Sequence, residues 1–341
     1  MFVALIIILL AIFILPLLVK RIEGELEIFL FTMGVIAVTV TWQWGISLVS
    51  DAITQPLMIT LVVLIAGMAF RILEEPLARN LEKAIRKIGQ KMFVFIIVVI
   101  LGIVSSIITA IVAALLLVEI ADKVHLGERN EVILVVLACY SIGLGSVLTP
   151  LGGPLSAIVI AKLQGAPYNA DFWFLFERLW FYVLPGIIFL GLLCTLMIGK
   201  SKEKEGDLKE EREEDAKEIL SRTVKIYLFI MSLVFLGVAF RPLMETFISG
   251  IQPYFLYWIN SASAVLDNAT LAAAEIWPSL TSAQINSAML GLTLAGGMLI
   301  PGNIPNIISA SKLKIRSREW ARIGVPLGIG LMLFYFMVIL L

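Results

Sequence analysis

Apolar residues in this chain come in long runs separated by short charged segments, a pattern of helices apolar on every side rather than along one stripe. Residues 2–19, 27–48 and 54–73 are three such runs, and 180–199, 223–240 and 320–341 are three more. Each is close to the ~20 residues that cross a ~30 Å hydrocarbon core. No basic stretch precedes residues 2–19 and no small-residue cleavage site follows them, so a retained first helix is expected. Between Glu75 and Lys91 the pattern changes. Leu77, Leu81, Ile85 and Ile88 share one face, Arg79, Lys83, Arg86 and Lys87 lie on others, and Pro76 suits a first turn, which predicts a helix lying in the membrane interface.

Two runs are too long for one ordinary span. Met92–Val118 is 27 residues without a charge, which as a single helix reaches ~40 Å. Its one local interruption is Ser105-Ser106. Residues 251–276 repeat the problem, with Ser261, Ser263, Asp267, Asn268 and Thr270 clustered around and beyond the middle. Each reads either as a long tilted helix or as two half-helices forming a re-entrant hairpin. Two further runs are broken by turn residues. Residues 132–161 contain Gly143-Leu-Gly145-Ser-Val-Leu-Thr-Pro150-Leu-Gly152-Gly153-Pro154, and 285–311 contain Gly296-Gly297-Met-Leu-Ile-Pro301-Gly302-Asn303-Ile-Pro305-Asn306. Glycine and proline at this density end a regular helix. Backbone freed at membrane depth must be satisfied by protein or water, so such breaks line cavities.

Basic residues gather in short cytoplasmic loops, which turns their positions into a test of these alternatives. Suppose 92–120 and 251–276 each return to the side they entered, every other run crosses once, and the N-terminus is outside. Then 23 Lys and Arg fall inside and 3 outside, namely Lys162, Arg178 and Arg241. If both segments cross, the split is 16 to 10. The first arrangement is favoured. It predicts an all-α polytopic membrane protein made of inverted repeats, each with a re-entrant helical hairpin and a broken transmembrane helix, the plan of a secondary transporter. Residues 1–50 are N-terminal scaffold helices. Repeat 1 covers 51–199, with its hairpin at about 92–120 and broken helix at about 131–163; repeat 2 covers 222–341, with the corresponding parts at about 251–276 and 285–311. The segment 200–221 between them is a charged cytoplasmic connector, partly helical. The expected location is the cell membrane, multi-pass, with both termini outside.

Composition agrees. The 341 residues are 60% apolar and 15% charged, with 26 basic residues balanced by 26 acidic ones, against ~45–50% and ~25% for soluble domains. A water-soluble enzyme, a nucleic-acid binder and a disulfide scaffold are excluded. Cys139 and Cys194 sit in apolar runs as buried free thiols. The single histidine, His125, lies in a charged connector, which removes the partner a membrane serine protease needs. An aspartyl protease needs two deep carboxylates, and Asp267 is the one well inside an apolar run; no enzyme is expected. A channel is less apt than alternating access, since no filter-like repeat of backbone ligands is present.

Leu266-Asp-Asn-Ala-Thr270, Gly145-Ser-Val-Leu-Thr-Pro150 and Asn303-Ile-Pro-Asn306, in this order at matching places in two halves, carry a resemblance over roughly residues 54–341. The chain resembles the ion transporter superfamily of sodium/proton antiporters, arsenite permeases and divalent anion/sodium symporters. More narrowly, it is similar to a small uncharacterised prokaryotic family of candidate cation transporters. The symporter branch carries Ser-Asn-Thr at both hairpin tips; here the second tip offers Asp267-Asn268-Ala-Thr270 and the first only Ser105-Ser106-Ile-Ile-Thr109. Matching Glu119 to Glu275 pairs Ile111 with Asp267, whereas matching the polar tips pairs Ser106 with Asp267; the second is preferred. The resemblance implies a homodimer in which hairpins and broken helices move as an elevator against scaffold helices.

An acid at membrane depth must be neutralised, paired or hydrated. Asp267 can therefore hold a proton or a sodium ion in mutual exclusion, with Asn268, Thr270, Asn303 and Asn306 adding hard oxygen ligands. Asn306 and Ser156 serve equally well as interhelical glue. Ser105, Ser106, Thr109, Ser146 and Thr149 are expected to form a weaker, uncharged mirror site. Gly145, Pro150, Gly152, Gly153, Pro154, Gly296, Gly297, Pro301, Gly302 and Pro305 set the geometry of the helix breaks. Glu177-Arg178 is expected at the outer interface as a local ion pair or anchor. The reading is a sodium (cation)/proton antiporter without a resident cofactor, whose partners are a small inorganic ion and membrane lipid. Sodium-coupled symport of a small carboxylate or oxyanion is the alternative, because half-helix N-termini after Pro150 and Pro301 suit an anion.

Overall fold

The computed structural model describes the chain except for residues 20, 21, 23, 24, 55, 58, 59, 62, 63, 66–87, 125, 200–215, 249–251, 265–267, 277 and 341. Among the described residues the regular elements are all helices, with no strand. Two N-terminal helices, α1 (Phe2–Leu18) and α2 (Leu26–Thr41), come first. The expected run 27–48 is interrupted at Trp42, which turns into the left-handed region at φ 54°, and the chain is helical again from residue 46. The amphipathic segment Glu75–Lys91 lies almost wholly outside the described residues.

The first half continues with α3 (Gln90–Ile108), α4 (Ala110–Lys123), α5 (Glu128–Ser146), α6 (Pro154–Leu163) and α7 (Phe174–Met197). The second half follows with α8 (Ala216–Ile248), α9 (Pro253–Ile259), a 3₁₀ turn Asn260–Ala264, α10 (Asn268–Glu275), α11 (Ser282–Gly296), a 3₁₀ turn Ile300–Gly302, α12 (Ile304–Lys312) and α13 (Ser317–Leu340). Local chemistry sets many of these starts. Pro154, Pro253 and Pro305 occupy first turns, where their missing N–H is not needed, and Thr281 with Gln284 makes a capping box that opens α11.

The interruption in 92–118 falls at Thr109, three residues beyond the expected Ser105-Ser106, and leaves arms of 19 and 14 residues. Thr109 adopts φ 73° and ψ 147°, a conformation unusual for a β-branched residue. A tertiary contact holds it: Ala110 N donates to Gly152 O at 2.7 Å. α3 and α5 run parallel, because their contacts advance together: Ser141 Oγ donates to Val98 O at 2.8 Å, Ser105 Oγ lies 3.0 Å from Ile142 O, and Thr149 Oγ1 donates to Ser106 O. Since α4 joins the end of α3 to the start of α5, it runs back alongside α3. α7 packs on α3 and α5 and ends beside the start of α5, where Asn130 Nδ2 donates to Gly199 O at 3.2 Å.

The two halves pack crosswise. α4 of the first lies on α12 of the second, and α10 of the second lies on α6 of the first. Lys312 Nζ bridges to Glu119 at 3.0 Å and Tyr140 Oη donates to Gly324 O at 2.7 Å; within the second half, Trp320 Nε1 donates to Gly297 O at 3.1 Å. Every residue of α5 from Ile133 to Ser146 is buried, as are Ile304–Ala310 of α12. α2 packs along α8, with Lys225 bridged to Glu25 at 3.2 Å, and α1 packs on α2. Among the described residues five helices can cross a membrane by length and composition: α3, α5, α7, Thr223–Leu243 of α8, and α13 up to Ile339. Large apolar side chains cover the outer faces of α1, α7 and α13, among them Ile7, Phe181, Leu196 and Phe334. A lipid-facing surface has this composition.

Candidate functional site

The interruptions between α5 and α6 and between α11 and α12 face each other at the centre of the fold. Asn303, in the second, has Nδ2 3.1 Å from where a Cβ would stand at Gly143 of α5. Cys139 of α5 places Sγ 3.7 Å from Pro305 O and 3.5 Å from Ser309 Oγ, and both cysteines are free and buried as expected. Two glycines permit the closest approaches. A Cβ at Gly145 would stand 1.6 Å from Gly102 O, and one at Gly152 would stand 2.1 Å from Ser146 O. Pro154 and Pro305 restart the helices after the breaks, while Pro301 and Gly302 lie in the 3₁₀ turn, whose Gly302 N donates to Leu299 O.

In the first half the expected mirror-site residues do gather, but their hydroxyls are committed to backbone. Ser105 Oγ is shared between Gly102 O at 2.7 Å and Ile142 O at 3.0 Å. Ser106 Oγ donates to Ile103 O at 2.7 Å, Ser146 Oγ to Gly143 O at 2.9 Å, and Thr149 Oγ1 to Ser106 O. Thr109 Oγ1 accepts from Val112 N at 3.3 Å and caps α4. Ser156 Oγ bonds Gly153 O and Ser146 O, the glue role. These contacts shape the break and use the hydroxyl hydrogens of Ser105, Ser106, Ser146 and Thr149, while their lone pairs stay open to a further ligand.

The second half differs. Asp267 lies outside the described residues, as does the side chain of Thr270; Asn268 opens α10 and is buried, with its Nδ2 3.4 Å from the Cβ position of Gly296. Asn303 precedes α12 without using its side chain as a cap. Asn306 closes the break, donating from Nδ2 to Gly296 O at 2.8 Å and Leu299 O at 2.9 Å, so it is a clamp, while its Oδ1 is buried without a partner. Among the described residues the buried side-chain oxygens or nitrogens without a hydrogen bond are Asn260 Oδ1, both oxygens of Glu275, Asn286 Oδ1, Ser287 Oγ and Asn306 Oδ1. All six are oxygens and all lie in residues 260–306, so the buried oxygens without a hydrogen bond are in the second half.

Sequence reasoning gave Glu119 and Lys312 no role, yet they form a buried ion pair between the halves. The available signal was their position at matching ends of apolar segments, which only the fold brings together. Arg178 serves as an anchor: its guanidinium stands over the rings of Phe174 at 4.4 Å and Tyr168 at 5.5 Å. Tyr168 Oη in turn donates to Leu280 O.

Among family models, one described as a protein of unknown function, DUF1646, matches residues 2–341. No curated protein matches the chain.

Proposed function

The chain belongs to the family of unknown function DUF1646, so its activity must be read from its own residues, and we propose that it is a secondary active transporter, a sodium (cation)/proton antiporter working by alternating access of an elevator type. The observation that carries this reading is the crosswise packing of the two halves around facing helix breaks, with unpartnered buried oxygens gathered on one side of them. Irregular backbone at this depth is tolerated where it lines a cavity for substrate. The return of α4 alongside α3, the recurrence of the element order and the basic-residue tally support inverted repeats with re-entrant hairpins. They also support a cell-membrane topology with outside termini and a cytoplasmic connector. The resemblance to the ion transporter superfamily supports the elevator and a homodimer, with α1 and α2 in the scaffold.

In this mechanism Asp267 exchanges a proton for sodium beside Asn268, Thr270 and Asn303, and Asn306 offers Oδ1 while holding the break closed. An acid that carries either a proton or a metal cation, never both, couples the two fluxes. Reconstituted in liposomes, the wild type is expected to move protons in response to a sodium gradient, and Asp267→Asn to abolish that movement. Intact exchange in the variant contradicts the assignment.

One observation favours the sodium-coupled symport of a small carboxylate or oxyanion. Neither α6 nor α12 has a side-chain cap at its N-terminus, and each starts at the edge of a break, although Asn306 N and Ile307 N of α12 bond to Asn303 O. Sodium-stimulated uptake of labelled anion at fixed pH, without proton exchange, selects this second reading.

A further inference from the structure

Glu275 ends α10 with a side chain that is 0% exposed, and neither carboxylate oxygen has a hydrogen-bond partner. Beside it stands Asn260, at the start of the 3₁₀ turn and also 0% exposed, with its amide N–H end toward the carboxyl but short of a full hydrogen bond. Asn260 has one orientation available. Its Nδ2 donates to Ala288 O at 3.2 Å, and a carbonyl only accepts, so Oδ1 is the end left without a partner. Asn260 Cβ lies 3.1 Å from where a Cβ would stand at Gly291. Ser287, one turn earlier on that face of α11, has a hydroxyl that is likewise buried and unpartnered. α10 brings its acid to this place by returning alongside the 3₁₀ turn and α11.

The first half has no such deficit, since the acid on its own returning helix, Glu119, is bridged to Lys312. An ionised carboxylate withdrawn from water needs a counter-charge. One proton serves one acceptor, whereas a cation draws on the Glu275 carboxylate and on neighbouring unpartnered oxygens at once. We propose that these three residues form a buried binding site for a small, hard, monovalent cation of the sodium class. A single carboxylate matches a single positive charge. Among the described residues no group of three or more His, Cys, Asp or Glu side chains is placed to hold a metal ion of higher charge. Seven residues of helix, ~10 Å, separate Glu275 from Asn268, so this site is distinct from the one at the breaks. The inference deepens the transport reading, on which the choice of sodium as probe rests; binding itself does not require transport.

The test is equilibrium binding of radioactive sodium to the purified full-length protein in detergent at one fixed pH. With Asp267→Asn as the parent, which removes the site at the breaks, saturable binding is expected, abolished by adding Glu275→Gln and weakened roughly tenfold by adding Ser287→Ala. The unfolding transition without sodium establishes whether each variant is folded; if the one with Glu275→Gln is not, the one with Ser287→Ala carries the test. Absence of saturable binding by the folded parent, or undiminished affinity in the folded variants, overturns the proposal. Failure of sodium-driven proton movement in liposomes, with this binding intact, counts against the transport reading and leaves the site standing.

Discussion

Asn306 spends both of its amide hydrogens on Gly296 O and Leu299 O, the carbonyls that the break in the second half sets free. Truncation strands two buried acceptors. Asn306→Ala is therefore expected to cost about 2 kcal/mol or more of stability, read as a lowered unfolding midpoint in detergent. A midpoint within error of wild type removes the clamp from the account. Gly145 makes a second residue-scale prediction. A methyl group there meets the backbone oxygen of Gly102, which cannot move aside as a side chain can. Gly145→Ala should destabilise by about 3 kcal/mol or prevent folding, whereas Gly165→Ala, with nothing within 4 Å, should change nothing in the same assay. Residue identity alone makes the glycines and prolines of both breaks legible. It does not show how such groups are bonded: of the expected mirror-site hydroxyls, Ser105, Ser106, Ser146 and Thr149 donate to carbonyls, while Thr109 accepts from Val112 N. Glu275 is legible in sequence only as an acid at the end of an apolar run, because the residues that surround it come from other elements.

At the scale of elements, α4 and α12 meet through Glu119 and Lys312, whose side chains are 6% and 16% exposed. Removing one charge of a buried pair leaves the other uncompensated, at about 3–5 kcal/mol. Glu119→Gln should therefore be strongly destabilised, and Glu119→Gln combined with Lys312→Met should recover most of the loss. A double variant no more stable than the single one contradicts a pairwise role for this contact. The helix interruptions show why element boundaries are unevenly legible. Pro150 and Pro301 lie within the interruptions, and Pro154 and Pro305 open the helices that follow, places proline chemistry suits, so those interruptions fall near where residue type places them. The turn at Thr109 has no glycine or proline; it is held by Ala110 N bonding to Gly152 O, a contact between segments some 40 residues apart. Local pattern carries no trace of it, and Ser105-Ser106 is the nearest polar substitute.

For the whole molecule, the distribution of basic residues carries more information than any motif, since it distinguishes a chain that returns from one that crosses. The direction of α4 between the parallel helices α3 and α5 agrees with the returning arrangement. Unpartnered oxygens confined to the second half, among the described residues, make the two halves unequal in chemistry though alike in element order. Transport by this plan requires that α3 and α4 enter and leave on one side. Lys91, at the start of α3, and Asp122, near the end of α4, are both exposed. Replaced singly by cysteine in a background where the buried Cys139 and Cys194 are alanine, they can be probed in sealed, oriented vesicles with a membrane-impermeant maleimide. Labelling of both from the same face is the predicted result; labelling from opposite faces contradicts the central claim.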